Sequence, residues 1–64
     1  MSQKNFILPD YESVTSFSKG QASKIFKDVA DNNKVLIVQK RNNPQNVIIS
    51  YKRYLELKKT GANI

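Results

Sequence analysis

Cysteine and histidine are both absent from this chain of 64 residues. Without cysteine no disulfide can form, and without either residue the commonest ligands of a structural zinc site are missing. A domain of this length buries only about 60% of the surface that its unfolded chain exposes, and small domains compensate with disulfides, metals or a partner subunit. Because association is the route that remains, the composition favours an oligomer.

Patterns typical of catalysis are also missing. Acid–base and nucleophilic sites need a tuned base beside a nucleophile, or a pair of carboxylates in a cleft. No glycine-rich phosphate loop or metal-spaced ligand set is present, and the carboxylates are spread through polar sequence at Asp10, Glu12, Asp28, Asp31 and Glu56. We therefore predict a protein that is not an enzyme and that has no catalytic residue, metal, cofactor or small-molecule substrate.

Long hydrophobic runs are absent as well. The longest apolar stretches are Val35 to Val38 and Val47 to Ile49, far short of the roughly 20 residues that a membrane-spanning helix needs. The N-terminus has no apolar core of the kind found in signal peptides. We expect a cytoplasmic protein without a membrane partner.

Positive charge is what the chain has in excess, with a net charge of +6. Positive and negative charges are equal in number as far as Asn33. Beyond it there are seven Lys and Arg residues and one acidic residue, Glu56. This distribution suits a polyanion such as a nucleic acid. It is also compatible with an ordinary basic surface, so charge alone does not decide between the two.

The hydrophobic pattern predicts a helix in the first half of the chain. Its apolar positions recur with helical spacing, at Ala22, Ile25, Phe26, Val29 and Ala30. Ser16 or Ser18 offers an N-cap, and Gly20 predicts either a break in the first turn or a close backbone approach. Asn33 is suited to the left-handed position that ends a helix. A short strand is predicted before it, over residues 11–15.

The two apolar runs predict a hairpin, followed by a helix that Ser50 caps and Gly61 ends. The connection from Gln39 to Asn46 is expected to exceed a two-residue turn, as a longer loop or a bulge. Because both strands are apolar at adjacent positions, each needs cover on both faces, from the second helix or from a second subunit. The predicted fold is an α+β, β-α-β-β-α domain of residues 11–60 with one antiparallel sheet, completed by homodimerisation. An N-terminal arm, residues 1–10, precedes it, and a short tail, residues 61–64, follows.

Basic and amide side chains gather at two places along this pattern. Lys19, Gln21 and Lys24 surround the predicted helix start, where Lys side chains and free backbone amides together can bind phosphate. Lys40 and Arg41 lie in the predicted hairpin connection. Gln and Arg can also read base edges, which makes Gln21 and Arg41 candidates for base contacts. Each group is equally compatible with a plain solvated surface.

Four segments of the chain, in this order, resemble the Phd/YefM family of antitoxins: Ser16–Phe26, Val35–Val38, Val47–Ser50 and the aromatic residue Tyr54. The likeness covers about residues 12–59. It implies a homodimer whose amino-terminal domain binds operator DNA, represses its own toxin-antitoxin operon and works with a cognate toxin. In the family a basic residue near the start of the first helix and another at the end of the second strand contact DNA.

The first of these family positions matches Lys19, and the second matches Gln39 or Lys40. Lys in place of the usual Arg gives a point charge rather than a bidentate contact, and the pair Asn42-Asn43 replaces the usual hairpin Gly. Together with the residue patterns, the resemblance gives this set of expected DNA-binding residues: Ser16, Ser18, Lys19, Gln21, Lys24, Lys40 and Arg41.

Toxin binding is expected elsewhere in the chain. Family members continue past the second helix into a segment that folds over the toxin, whereas this sequence has four residues after Thr60. Either the natural chain continues further, or the short tail and the arm bind the toxin. The apolar residues Phe6, Ile7 and Leu8 of the arm, together with Leu55, are the predicted partner-binding positions, although an arm that packs on the domain or covers the dimer is an equal alternative. The alternative prediction is a protein-interaction module that holds a toxin or another protein without binding DNA.

Overall fold

The computed structural model describes residues 8–64, so the predictions for Phe6 and Ile7 lie outside the described residues. The elements are β1 (Asp10–Ser13), α1 (Val14–Ser16), an irregular helical turn (Phe17–Gln21), α2 (Ala22–Asn32), β2 (Val35–Lys40), β3 (Asn43–Ile49) and α3 (Tyr51–Lys59). This order confirms the α+β class. No helix within residues 8–64 is long and apolar enough to cross a membrane.

The first helical turn starts earlier than predicted, at Val14. Ser13 caps it, because the Ser13 Oγ accepts a hydrogen bond from the Thr15 N–H at 3.2 Å. The predicted caps are wrong: Ser16 donates its hydroxyl to Glu12 Oε1 at 2.7 Å, and Ser18 donates to the Thr15 carbonyl at 2.9 Å. Both serines lie inside helical structure, whereas the free amides that an N-cap accepts from belong to the first turn, which Ser13 already caps.

The predicted break at Gly20 is confirmed. Gly20 has φ 80° and ψ 17°, and Lys19 before it has φ −95° and ψ 20°. A Cβ placed on Gly20 meets nothing within 4 Å, so the position needs glycine for its left-handed backbone and not for a close approach. The helix that follows ends as predicted, with Asn33 in the left-handed conformation at φ 51° and ψ 45°.

The three strands form one sheet in the order β1-β2-β3, with β2 in the centre. The prediction of an antiparallel sheet is wrong for β1, which pairs with β2 in parallel. A helical crossover separates β1 from β2, and such a connection joins parallel strands, while the short hairpin joins β2 and β3 antiparallel. As a result Ser13, at the end of β1, lies opposite Gln39, next to the hairpin.

The hairpin is tighter than predicted. Both strands extend through polar residues as far as the pair Lys40 and Asn43, which leaves only Arg41 and Asn42 in the turn. Their φ angles are 52° and 66°, as a type I′ turn requires, so the left-handed pair is not Asn42-Asn43. For a residue other than Gly or Asn this conformation costs roughly 1–2 kcal/mol.

A bulge lies beside the turn, as the sequence suggested. Val38 pairs with Asn46, whereas Gln39 pairs with Pro44, so β3 has one extra residue at Gln45. Proline has no N–H for a strand ladder and is tolerated at bulges and on edge strands. The bulge therefore accommodates Pro44 on the edge strand without the loss of a central hydrogen bond.

The core lies on one face of the sheet only. Val29 of α2 packs with Leu36 and Val38 of β2, and these three are 3 to 5% exposed. Phe17, Ile25 and Ile48 are partly buried against them. Strand alternation places Ile37 and Val47 on the other face, the outer face, together with Tyr11, Val35 and Ile49. Tyr11 is 56% and Val47 63% exposed, so residues 8–64 of one chain do not cover both faces.

The first turn of helix α3 is hydrogen-bonded to the rest of the domain. The Ser50 Oγ accepts from the Arg53 N–H at 3.0 Å, which confirms Ser50 as the N-cap, and it donates to Asn33 Oδ1. The Arg53 guanidinium donates from Nη2 to the Asn33 carbonyl at 2.7 Å. Beyond this cluster the apolar side chains of α3 are largely exposed: Tyr51 by 73% and Leu55 by 44%.

An exposed ion pair network joins β1, α2 and the start of β2. Lys34 Nζ lies 2.6 Å from Asp28 Oδ2 and 3.1 Å from Asp10 Oδ2. The hydrogen bond to Asp28, and then that to Asp10, raises the pKa of Lys34. The same bond from Lys34, followed by one from Asn32, lowers the pKa of Asp28. Because folding lowers the Asp28 pKa, its stabilising effect is present at neutral pH and is lost as the pH falls through that lowered pKa.

Replacing Asp28 with Asn is therefore expected to make the stability less sensitive to acid. The measurement is the thermal unfolding midpoint at neutral pH and at a pH below the ordinary carboxyl range, for the wild type and Asp28→Asn. The wild type should lose more stability between the two conditions than the variant. Glu56→Gln removes a carboxylate that has no ion pair within residues 8–64 and serves as the control. An equal acid loss in wild type and Asp28→Asn would contradict the assignment.

Replacing Ser50 with Ala is expected to lower the free energy of unfolding by about 1 kcal/mol, because the helix loses its N-cap. The bond to Asn33 is lost in the same variant, so α3 should also detach more readily from the domain. Denaturant unfolding followed by circular dichroism measures the change. Ser23→Ala, at an exposed position within α2, is the matched control and should unfold like the wild type. Equal midpoints for Ser50→Ala and the control would refute the role of the cap.

Candidate nucleic-acid interface

The ion pairs among residues 8–64 lie at one end of the molecule. At the end where α2 stops and β2 begins, Asp10 and Asp28 pair with Lys34, and Asp31 pairs with Lys27 at 2.7 Å. The opposite end carries the predicted cations, which form no ion pair within residues 8–64: Lys19, Lys24, Lys40 and Arg41. We call these four residues the basic end. The carboxylate of Glu12 lines the same hollow as Arg41, and Lys19, Lys24 and Lys40 have no carboxylate partner within residues 8–64.

The parallel pairing of β1 with β2 assembles the basic end from two separate parts of the chain. It brings the last residue of β1, and with it the helical segment that starts at Val14, beside the hairpin end of β2. Lys19 and Lys24 come from the helical side, and Lys40 and Arg41 come from the hairpin. All four side chains belong to exposed residues. The segment that carries the first group of cations thus begins beside the hairpin that carries the second group.

A polar hollow of about 240 Å³ lies between β1 and the hairpin tip, lined by Tyr11, Glu12, Ser13, Gln39, Arg41 and Asn42. Gln39, Arg41 and Asn42 supply hydrogen-bond donors, and Glu12 supplies an acceptor. Sequence reasoning missed Tyr11, Glu12 and Ser13 of β1 as members of this region. Only the parallel register of β1 reveals their position, and no local pattern in the sequence indicates that register.

The predicted polar residues at the helix start differ in whether their side chains are already hydrogen-bonded within the chain. Gln21 is exposed and makes no capping hydrogen bond to α2, so its amide is free to meet a ligand. Ser16 and Ser18 both donate their hydroxyl protons within the chain, to Glu12 and Thr15. A serine binds phosphate through its O–H, so contact from either residue requires one of these bonds to break. Gln21 and the four cations are therefore the stronger part of the predicted set.

Apolar surface is exposed away from the basic end. Leu8, the described member of the predicted arm contact, is 72% exposed, and Leu55 is 44% exposed. Leu55 and Tyr51 line a shallow hollow on α3. The Tyr51 and Tyr54 rings stack at 6.3 Å between centroids, and Lys58 Nζ lies 5.7 Å from the Tyr54 ring. These contacts keep the two tyrosines together on one side of α3.

Within residues 8–64 no group of three or more carboxylates is arranged to hold a metal ion. Comparison of the chain with protein-family models, with curated proteins and with solved structures gave no match. The functional argument therefore depends on the residues and their arrangement: a cationic end built from two elements, a polar hollow inside it, and uncovered apolar surface elsewhere.

Proposed function

We propose that this protein is a homodimeric DNA-binding antitoxin that represses its own operon and neutralises a cognate toxin. The observation that carries the proposal is the basic end. Lys19 and Lys24 on the helical side and Lys40 and Arg41 on the hairpin are placed together by β1–β2 pairing, while the described ion pairs lie at the opposite end. These are the two regions that, by resemblance to Phd/YefM antitoxins, contact operator DNA.

The arrangement suits a duplex better than a small anion. Cations contributed by two different elements can contact phosphates on both sides of a groove, and such contacts fix the position of a protein on the duplex. A Lys side chain binds phosphate as a point charge without a fixed geometry. Release of counterions from the phosphates supplies much of the binding free energy, so the affinity depends on salt.

The exposure of the outer face of the sheet, among residues 8–64, supports the dimer. Tyr11 and Val47 remain more than half exposed there, although the strands contain apolar residues at adjacent positions. The buried apolar core comprises only Val29, Leu36 and Val38 within residues 8–64. A second copy packed against this face would enlarge the core by hydrophobic burial. A two-fold dimer carries two basic ends, which predicts a palindromic operator with half-sites spaced by the dimer geometry.

Toxin neutralisation is the part of the proposal that depends most on the family resemblance. The exposed apolar side of α3 at Tyr51 and Leu55 supports it, because a protein partner can bury these side chains. Leu8 extends the exposed apolar surface near the start of the described chain. We place the toxin contact on this surface and the operator contact on the basic end, so that one molecule can hold both partners.

The exposed apolar surface also supports a second candidate, a protein-interaction module that does not bind DNA. The two candidates depend on different residues. In the module, replacing Leu55 should abolish function and replacing Lys19 and Lys40 should not. In the DNA-binding antitoxin, the same lysines are needed for repression.

A salt-dependent titration tests the DNA-binding proposal. The wild type should bind a duplex from the region upstream of its coding sequence, and its affinity should fall steeply as salt rises. The slope of log K against log salt is about −0.9 for each phosphate neutralised. The double variant Lys19→Ala with Lys40→Ala should bind more weakly and, because a dimer loses two lysines from each chain, should have a slope shallower by about 3.6.

The matched control carries Lys52→Ala and Lys59→Ala, which remove the same charge from exposed positions on α3. Its slope should change less than that of the basic-end variant. If both double variants lose affinity equally, net charge and not the basic end drives binding. If the wild type binds no duplex at low salt, the interaction module becomes the better account.

A further inference from the structure

The hairpin turn contains a residue that its backbone disfavours. A type I′ turn favours Asn or Gly at its two central positions because both have positive φ. Asn42 at φ 66° meets this preference, but Arg41 at φ 52° does not. A left-handed conformation strains any side chain with a Cβ, and Asn relieves part of that strain by local hydrogen bonding. Arg41 is thus placed where the fold would prefer a different residue.

The fold makes no use of the Arg41 side chain that would explain this strain. Arg41 is exposed, and within residues 8–64 its guanidinium takes part in no ion pair or hydrogen bond. Lys40, the residue beside it, already brings a positive charge to the same place without a left-handed backbone. Strained residues without a structural role concentrate at functional sites. The strained backbone and the unpaired guanidinium make Arg41 a candidate for contact with a partner.

The surroundings indicate which chemistry the partner presents. Arg41 and Asn42 line the polar hollow together with Gln39 and the carboxylate of Glu12. Glu12 is fixed by the hydroxyl of Ser16 at 2.7 Å, and its negative charge disfavours a phosphate in the hollow. A ligand that offers both hydrogen-bond donors and acceptors fits these residues. The edges of DNA bases offer such mixed patterns in the major groove.

We propose that Arg41 and Asn42 read base edges, so that the hairpin tip is the sequence-reading element of the DNA-binding surface. The proposal rests on the DNA-binding function proposed above. The fork of Arg matches the O6 and N7 acceptors of guanine, and the amide of Asn matches N6 and N7 of adenine. A two-stranded ribbon fits into the major groove, while Lys19 and Lys40 are placed to hold phosphates beside it.

The experiment is a selection of binding sites from a library of random-sequence duplexes, performed with the wild type, Arg41→Lys and Asn42→Gly. Arg41→Lys keeps the charge but removes the bidentate fork, and Asn42→Gly removes the amide while keeping a residue that favours positive φ. Lys52→Ala on α3 is the control. Thermal unfolding of each variant shows that the fold is retained. Affinities for the selected site and for an unrelated duplex are then measured at one salt concentration.

The wild type should enrich a defined sequence. Arg41→Lys and Asn42→Gly should each lose about ten- to a hundred-fold of the preference for that sequence, with affinity for the unrelated duplex changed much less. Lys52→Ala should select the wild-type sequence.

Two results overturn base reading and leave the DNA-binding function standing. In one, all variants select the same sequence with the same preference. In the other, the wild type binds duplex DNA without enriching any sequence. If the wild type binds no duplex, the proposed DNA-binding function fails, and base reading fails with it.

Discussion

The parallel pairing of β1 with β2 is the constraint on which the rest of the structure depends. This pairing places the start of the helical segment, at Val14, next to the hairpin that contains Arg41. The helical segment carries Lys19 and Lys24, and the hairpin carries Lys40 and Arg41. The described ion pairs lie at the far end, while the carboxylate of Glu12 lines the same hollow as Arg41. The pairing of this four-residue strand therefore determines where the helical segment with Lys19 and Lys24 begins relative to the hairpin.

The second constraint is the shortage of buried apolar surface. Helix α2 covers one face of the sheet, and no other described element covers the outer face, on which Val47 is 63% exposed. Helix α3 is fixed at its first turn by Ser50, Asn33 and Arg53, and its apolar side chains are left without a partner from the same described chain. Burial against another protein surface would cover both regions. In the proposed function, a second copy of the chain would cover the outer face and a toxin would cover α3.

Local chemistry was predictable from the sequence, and long-range pairing was not. The left-handed end of α2 at Asn33, the break at Gly20 and the cap at Ser50 follow from the conformational preferences of single residues, and the structure has all three. The parallel direction of β1 and the extension of the hairpin to Lys40 depend on strand register, which no residue in isolation specifies. The predicted N-cap, Ser16 or Ser18, was wrong because three serines lie near the helix start. Ser13 is the cap because the first helical turn begins directly after β1 ends. The candidate cations could be predicted from the sequence. Their arrangement relative to one another depends on the register of β1 against β2, which the sequence does not reveal.

The central claim is a dimer that presents two basic ends to one duplex. Its most direct test is native mass spectrometry of the full chain, alone and mixed with a duplex from the region upstream of its coding sequence. The account predicts the mass of two chains in the free protein and the mass of two chains bound to one duplex in the mixture. A single chain in both samples, or a dimer that leaves the duplex free, would contradict it.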